Sequence, residues 1–418
     1  PLLLAVSTVT QHSGYALKAT VPWTSPGTHS LLALSDTQLA TPAELLQHHP
    51  SNLHSTQPGA EIVMLTAPEF MRQVQPLQKL HEAEGQPTVL VNVNDVYDEF
   101  NFGERTPYAI RNFLQTASIA WRTKPRYLLM AGDASVDPRN YFGFGFFDFV
   151  PTKVVITSEL KTASDDWFSD FNNTGFAEIA TGRLPARTPE DAEIMTAKLL
   201  DYGTRQGGSW TNRSTLVADV DSTGVSFSQA ALGVQRQLPQ TMDVTDVFTS
   251  VIGATEARNQ VLSSINAGQL LVNYNGHGSV EVWGSGLFDD DDAAALTNGE
   301  RLPLFVAMNC LNGFFHDVYT QSLAEALILS RNGGAVAVWA SSGLTAPTPQ
   351  FQMDQTLVQT LFASPGIALG DAILRAKSSI TDSDTRKTFI LFGDPAMRLK
   401  SPENLRKLQE SRSQDSGR

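Results

Sequence analysis

Leu270-Leu271-Val272-Asn273-Tyr274-Asn275-Gly276-His277-Gly278-Ser279 and, further along, Leu304-Phe305-Val306-Ala307-Met308-Asn309-Cys310-Leu311-Asn312-Gly313 are built to one plan. Each is an apolar run of strand length that breaks into Asn and Gly, and the break carries a histidine in one and the chain's single cysteine in the other. Continuous apolar runs read as strands buried on both faces, which belong to parallel sheets covered by helices. In such sheets reactive groups collect beyond the carboxyl ends of the strands. Consecutive parallel strands are often neighbours about 5 Å apart, which brings their end loops within side-chain reach.

Outward from this pair the same alternation continues. Apolar strands are expected at 215–219, 269–274, 304–308 and 335–339, with helices near 226–237, 254–266, 320–331, 353–362 and 367–379. An earlier series has strands at 61–66, 88–93, 127–131 and 177–180, with helices near 70–85, 107–120 and 189–202. Strands alternating with helices predict an α/β fold of two parallel-sheet subdomains side by side, with Gly207-Gly208 at the break. The expected organisation is residues 1–58 as the end of a preceding β-rich module, 59–206 and 207–400 as the two α/β subdomains, and 401–418 as a polar tail. Within the leading module, Tyr15 to Val21 and Ser30 to Ala33 read as short strands, and the tail reads as a frayed end.

The chain has 418 residues and a net charge of -13, and no run of Lys or Arg suited to a line of phosphates, so nucleic-acid binding is not expected. One cysteine excludes an intramolecular disulfide and any multi-cysteine metal site. No stretch reaches the roughly 18 to 20 apolar residues that span a bilayer. The start at Pro1, without a basic flank or a full apolar segment behind it, reads as a piece of a longer parent chain.

A thiol nucleophile needs a neighbour that takes its proton and later gives one to the leaving amine, and imidazole does both near neutral pH. His277 fits that role toward Cys310. Gly276 and Gly278 let a substrate approach closely, and the N–H groups of Gly278 and Cys310 are candidate oxyanion donors. Two alternatives stand beside this reading. A lone cysteine is commonly a small buried hydrophobe, and His316 is the rival base, although it follows Phe314-Phe315 in what reads as a loop. His81, between charged neighbours on a helix, reads as a solvated surface residue.

Taken with further segments, the two strand ends resemble the gingipain family of caspase-like cysteine peptidases. The further segments are Tyr127-Leu128-Leu129-Met130-Ala131-Gly132-Asp133, Ser164-Asp165-Asp166-Trp167-Phe168, Ile179-Ala180-Thr181-Gly182-Arg183-Leu184-Pro185, Gly334-Ala335-Val336-Ala337-Val338 and Phe392-Gly393-Asp394-Pro395-Ala396-Met397-Arg398-Leu399. The resemblance covers about residues 59 to 400. It implies a cysteine endopeptidase that hydrolyses a polypeptide substrate through an acyl-enzyme, with Cys310 as nucleophile, His277 as base and no cofactor for catalysis. It also implies a bacterial protein, extracellular or at the cell surface, with the peptidase at the end of a longer chain. Asp165 falls where Arg-specific relatives hold the substrate side chain before the scissile bond, with Asp166 competing for that position. No glutamate matches the one that some relatives place behind the histidine. Two other functions share the fold: a sortase-like transpeptidase of a bacterial secretion system, in which an amine resolves the thioester, and a non-catalytic scaffold with an idle site.

Two signals point elsewhere. Asp289-Asp290-Asp291-Asp292 reads as a helix N-terminus ahead of calcium, lacking the glycine of an EF-hand loop. Asp133, Asp137 and Asp148 are candidates for a structural calcium site of the kind the family carries. The Gly-aromatic stretch Tyr141 to Phe147 lacks the ending of a phosphate loop and reads as packing on the sheet or bordering a cleft.

Overall fold

The computed structural model describes residues 6–11, 14–20, 32, 37, 41, 51–55, 58–284 and 286–400. The chain divides into a unit of residues 1–49 and a unit of residues 50–418. In the first, β1 (Val6–Gln11) and β2 (Gly14–Ala19) form an antiparallel hairpin. The strand expected at Ser30 to Ala33 and the tail from Ser401 lie outside the described residues, apart from Leu32.

The second unit is built on one ten-stranded sheet. Its strands in chain order are β3 (Ile62–Thr66), β4 (Thr88–Asn92), β5 (Tyr127–Ala131), β8 (Ala180–Leu184), β9 (Arg213–Ala218), β10 (Asp243–Phe248), β11 (Leu271–Asn275), β14 (Leu304–Met308), β15 (Ala337–Ser341) and β16 (Phe389–Phe392). Off the sheet lie the hairpins β6 (Lys153–Ile156) with β7 (Lys161–Ser164), and β12 (Val282–Trp283) with β13 (Phe288–Asp289). The order across the sheet is β10-β9-β11-β14-β15-β16-β8-β5-β3-β4. Every pairing in it is parallel except β15 with β16. The fold is α/β, as the alternation predicts. Where the sequence suggests two sheets, β16 returns between them and joins them into one.

Helices cover both faces: α1 (Met71–Ala83), α2 (Val93–Asn101), α3 (Pro107–Ala120), α4 (Pro189–Thr204), α5 (Phe227–Gln235), α6 (Thr249–Ile252), α7 (Ala254–Ala267), α8 (Asp290–Ala294), α9 (Leu323–Leu329), α10 (Pro347–Ala363), α11 (Leu369–Ser378) and α12 (Ser383–Thr388). Strands β3, β5, β8, β11, β14, β15 and β16 are buried along their whole length, which is why most of them read as apolar runs; β8 (Ala180-Thr181-Gly182-Arg183-Leu184) is the exception, and it begins at Ala180, where the strand expected at 177–180 was to end. The acidic run at 289–292 caps α8: Asp289 accepts from Asp292 N–H, Asp292 returns the bond to Asp289 N–H, and Arg258 pairs with both. Negative charge there meets the positive end of the helix.

Two interior ion pairs revise the sequence reading. His81, expected at the surface, is 2% exposed and its Nε2 lies 2.9 Å from Asp394. It shares the inward face of α1 with Val74 and Leu77, spaced for one side of a helix. Although burial opposes its charge, Asp394 raises its pKa above the ordinary histidine value. Arg183, within the buried strand β8, is wholly buried and demands full compensation. It finds it in Asp165, at 2.7 and 3.0 Å, and in the carbonyls of Gly132, Val150 and Pro151.

Candidate active site

The order of strands fixes where a site belongs. Strand β9 is followed by β10 on one side and by β11 on the other, so the chain reverses its direction of winding between β9 and β11. Crevices open at such reversals, beyond the carboxyl ends of the strands. There β9 ends in Asp219, β11 in Asn275-Gly276-His277-Gly278, and β14, the next neighbour, in Asn309-Cys310. Asn275 and Met308 are direct partners in the β11–β14 ladder, so His277 and Cys310 each stand two residues past a matched pair. The structure therefore brings the expected histidine and cysteine to adjacent strand ends. His277 is exposed and Cys310 half-buried, so both are open to a substrate.

The two loops interlock. The Asn309 amide donates to Asn312 Oδ1, and the Asn312 amide crosses to the carbonyls of Ser279 and Val282 in the histidine loop. Asn312 also accepts Ala324 N–H from α9. Leu311, between Cys310 and this anchor, has a φ of +65°, and Asn312 N–H returns to the Cys310 carbonyl. A three-residue turn of positive φ is rare and strained for a branched side chain, and strain of this kind persists where surrounding bonds enforce it. Its effect is a sharp bend directly after the cysteine. Among the described residues, the N–H groups of Gly278 and Cys310 join none of the loop's backbone hydrogen bonds.

His277 is clamped through its main chain. Its N–H donates to Asp219 Oδ2 at 3.2 Å, and its carbonyl accepts from the Tyr274 hydroxyl at 2.6 Å and from Gly284 N–H at 2.8 Å. Its ring meets Phe227 edge to face, with centroids 5.1 Å apart. Burial, with the Asp219 carboxylate beside it, pushes the Tyr274 phenol well above its usual pKa, so it remains a donor. Below the loop, Asn273 and Asn275 donate to the fully buried Asp354 of α10, whose pKa burial lifts to about 7. Motif reading missed Asp219, Tyr274 and Asp354. The position of Asp219 at the carboxyl end of a strand was the available signal.

Asp165, expected to hold a substrate cation, is 1% exposed. Both its oxygens bind Arg183, and one also accepts the Thr152 hydroxyl. Its competitor Asp166 takes Lys377 Nζ at 2.6 Å and the Thr181 hydroxyl. These carboxylates serve interior cations, and both are buried. His316 is buried on the Arg183 side, with its ring 4.3 Å from that of Phe314 and no hydrogen bond to either nitrogen among the described residues. Burial drives its pKa down to about 4, so it stays neutral at physiological pH, shut off from solvent. Asp133 binds Arg187, Asp137 accepts the N–H groups of Tyr141 and Phe142, and Asp148 accepts that of Ser135. Among the described residues no three His, Cys, Asp or Glu side chains converge as a metal site would.

Residues 55–400 match the model of peptidase family C25. The chain belongs to that family. Among its C25 relatives, gingipain R2 of Porphyromonas gingivalis is 23% identical over 272 residues, which is 60% of this chain and 36% of the gingipain. A protein of Archaeoglobus fulgidus described only as uncharacterized is 22% identical over 397 residues, spanning 79% of this chain and 90% of its own. The crystal structure of the Arg-specific cysteine proteinase gingipain R superposes with a TM-score of 0.69 at 19% identity, covering 84% of this chain and 80% of that one. The C25 fold is thus the gingipain one, a caspase-like α/β domain with a large, mostly parallel sheet. No helix among the described residues is long and apolar enough to cross a membrane.

Proposed function

We propose that this chain is a cysteine endopeptidase in which Cys310 attacks the peptide carbonyl and His277 manages the proton. The observation that carries the reading is the matched position of these residues beyond the paired strands β11 and β14, in a chain of family C25. The thiolate adds to the carbonyl carbon, and the oxygen takes up the negative charge within reach of the Gly278 and Cys310 N–H groups. His277 then donates its proton to the departing amine, leaving a thioester on Cys310. Water, losing a proton to His277, hydrolyses the thioester and frees the sulfur.

Substrates with a neutral residue before the scissile bond are part of the proposal, because Asp165 and Asp166 are both engaged by interior cations. Action outside the cell, on polypeptides, belongs to it too and rests on the likeness to gingipains. The test is intact-mass labelling with peptidyl acyloxymethyl ketones, one carrying Arg and one a neutral residue. The proposal expects a single adduct on the wild type, formed faster by the neutral reagent and absent from Cys310→Ser and His277→Ala. A folded wild type that neither reagent labels would overturn it.

A further inference from the structure

Among the described residues, the Cys310 sulfur has hydrogen-bond partners on one residue, Thr345, in the loop between β15 and α10. Thr345 N–H donates to Sγ over 3.5 Å, and the thiol donates to the Thr345 carbonyl over 3.7 Å. The two contacts suit opposite states of the sulfur. An N–H donor favours the thiolate, and a carbonyl favours the thiol. Which of them prevails depends on what holds Thr345, whose N–H and carbonyl belong to the two peptide units on either side of its α-carbon.

Gln350 holds it. From the first turns of α10 its Nε2 donates to the Thr345 hydroxyl at 2.5 Å and to the Thr345 carbonyl at 3.2 Å. Gln350 is 3% exposed, so little water competes for these bonds. The bond to the carbonyl matters most. It sets a donor against the carbonyl oxygen that faces the sulfur and would repel a thiolate, and it fixes the peptide preceding α10. The same helix reaches the histidine side, since Phe351 packs edge-on against Phe227, the ring facing His277, and Asp354 binds Asn275.

We infer that Gln350 is a positioning residue for Cys310: by anchoring Thr345 through its hydroxyl and carbonyl it keeps the Thr345 N–H on the sulfur and favours the thiolate. The inference rests on reading Cys310 as the nucleophile, although its test does not need a peptide substrate. Because Cys310 is the single cysteine of the chain, alkylation by iodoacetamide followed by intact mass reads it directly.

Gln350→Ala should slow alkylation about tenfold at neutral pH, the scale of one hydrogen bond to a charged group, and move the pH–rate profile to the alkaline side. Thr345→Val, which loses one of the two anchors, should move it part of the way, and Thr345→Ser, which keeps the hydroxyl, should restore the wild-type profile. The double variant Gln350→Ala with Thr345→Val should be no slower than Gln350→Ala alone. Profiles of Gln350→Ala and Thr345→Val that superimpose on the wild type would overturn the inference, as would a double variant slowed by the product of the single effects. If Gln350→Ala does not fold, the Thr345 pair decides on the same criteria. A wild type that alkylates readily yet cleaves no peptide sinks the peptidase reading and leaves this one standing. A wild type that cleaves peptide, with the Gln350→Ala profile unchanged, sinks only this one.

Discussion

A β-carbon placed on Gly278 would stand 2.2 Å from the Asn309 side-chain nitrogen and 3.0 Å from the Cys310 carbonyl oxygen. The histidine loop and the cysteine loop touch at this glycine with no space for a methyl group. Gly278→Ala must therefore push them apart. The expected outcome is a folded protein that loses about a hundredfold or more of the proposed peptidase activity, since displacing reacting groups by an ångström costs on that scale. Steady-state kinetics beside a melting curve would check it.

Asp219 should act through the position of His277. Removing its carboxylate in Asp219→Ala frees the His277 N–H, and kcat should fall roughly tenfold or more with KM little changed. Asp219→Asn keeps an oxygen acceptor and should recover most of that loss. Equal kcat values for the wild type and the alanine variant would remove Asp219 from the site.

The Arg183–Asp165 pair is an interior strut. Asp165→Ala leaves a buried guanidinium without its counter-charge, and stability should fall by about 3 to 5 kcal/mol in denaturant unfolding. If Asp165 instead bound a substrate cation, the same variant would keep its stability and change which residue is accepted before the scissile bond.

His81 and Asp394 make stability depend on pH in a stated direction. The folded pKa of His81 lies above its unfolded value near 6.5, so the pair contributes fully below that value and its contribution disappears as pH rises through the folded pKa. Asp394→Asn should cost most near pH 6, and the difference from wild type should shrink at higher pH. A difference independent of pH would refute the pairing.

Asp354 works in the opposite sense to an ordinary paired carboxylate. Its folded pKa of about 7 exceeds the ordinary aspartate value of 3.8. The native state thus holds this proton more tightly, and the benefit declines as pH climbs from about 4 to 7. The change amounts to as much as roughly 4 kcal/mol. In Asp354→Asn that decline should vanish from the pH dependence of unfolding.

Much of this architecture is legible in the sequence, and the exceptions have physical causes. Strands β11 and β14 declare themselves because a strand covered on both faces has little choice but to be apolar along its length. β10 escaped because it is the sheet's edge and alternates with exposed residues such as Asp243 and Asp246. β15 begins two residues later than the apolar run suggests, because its ladders with β14 and β16 set its limits. His277 and Cys310 could be named because each sits in a local motif. Thr345 and Asp354 could not, since Cys310 on the one hand and Asn273 and Asn275 on the other lie far off in sequence and meet them only through the packing of α10 and its leading loop on the sheet, and Gln350 has meaning only through Thr345. The Asp165 assignment followed a motif, and the burial of its partner Arg183 was hidden because β8, Ala180-Thr181-Gly182-Arg183-Leu184, lacks an apolar run to mark it as an interior strand.

The placement of β16 has a consequence for how the molecule is made. It is the last strand of the sheet in chain order, yet it lies between β15 and β8 near the middle. During synthesis β8 and β15 must wait as open edges, each ready to pair with a foreign strand, until residues 389–392 emerge. Folding then closes over long sequence separations and should be slow.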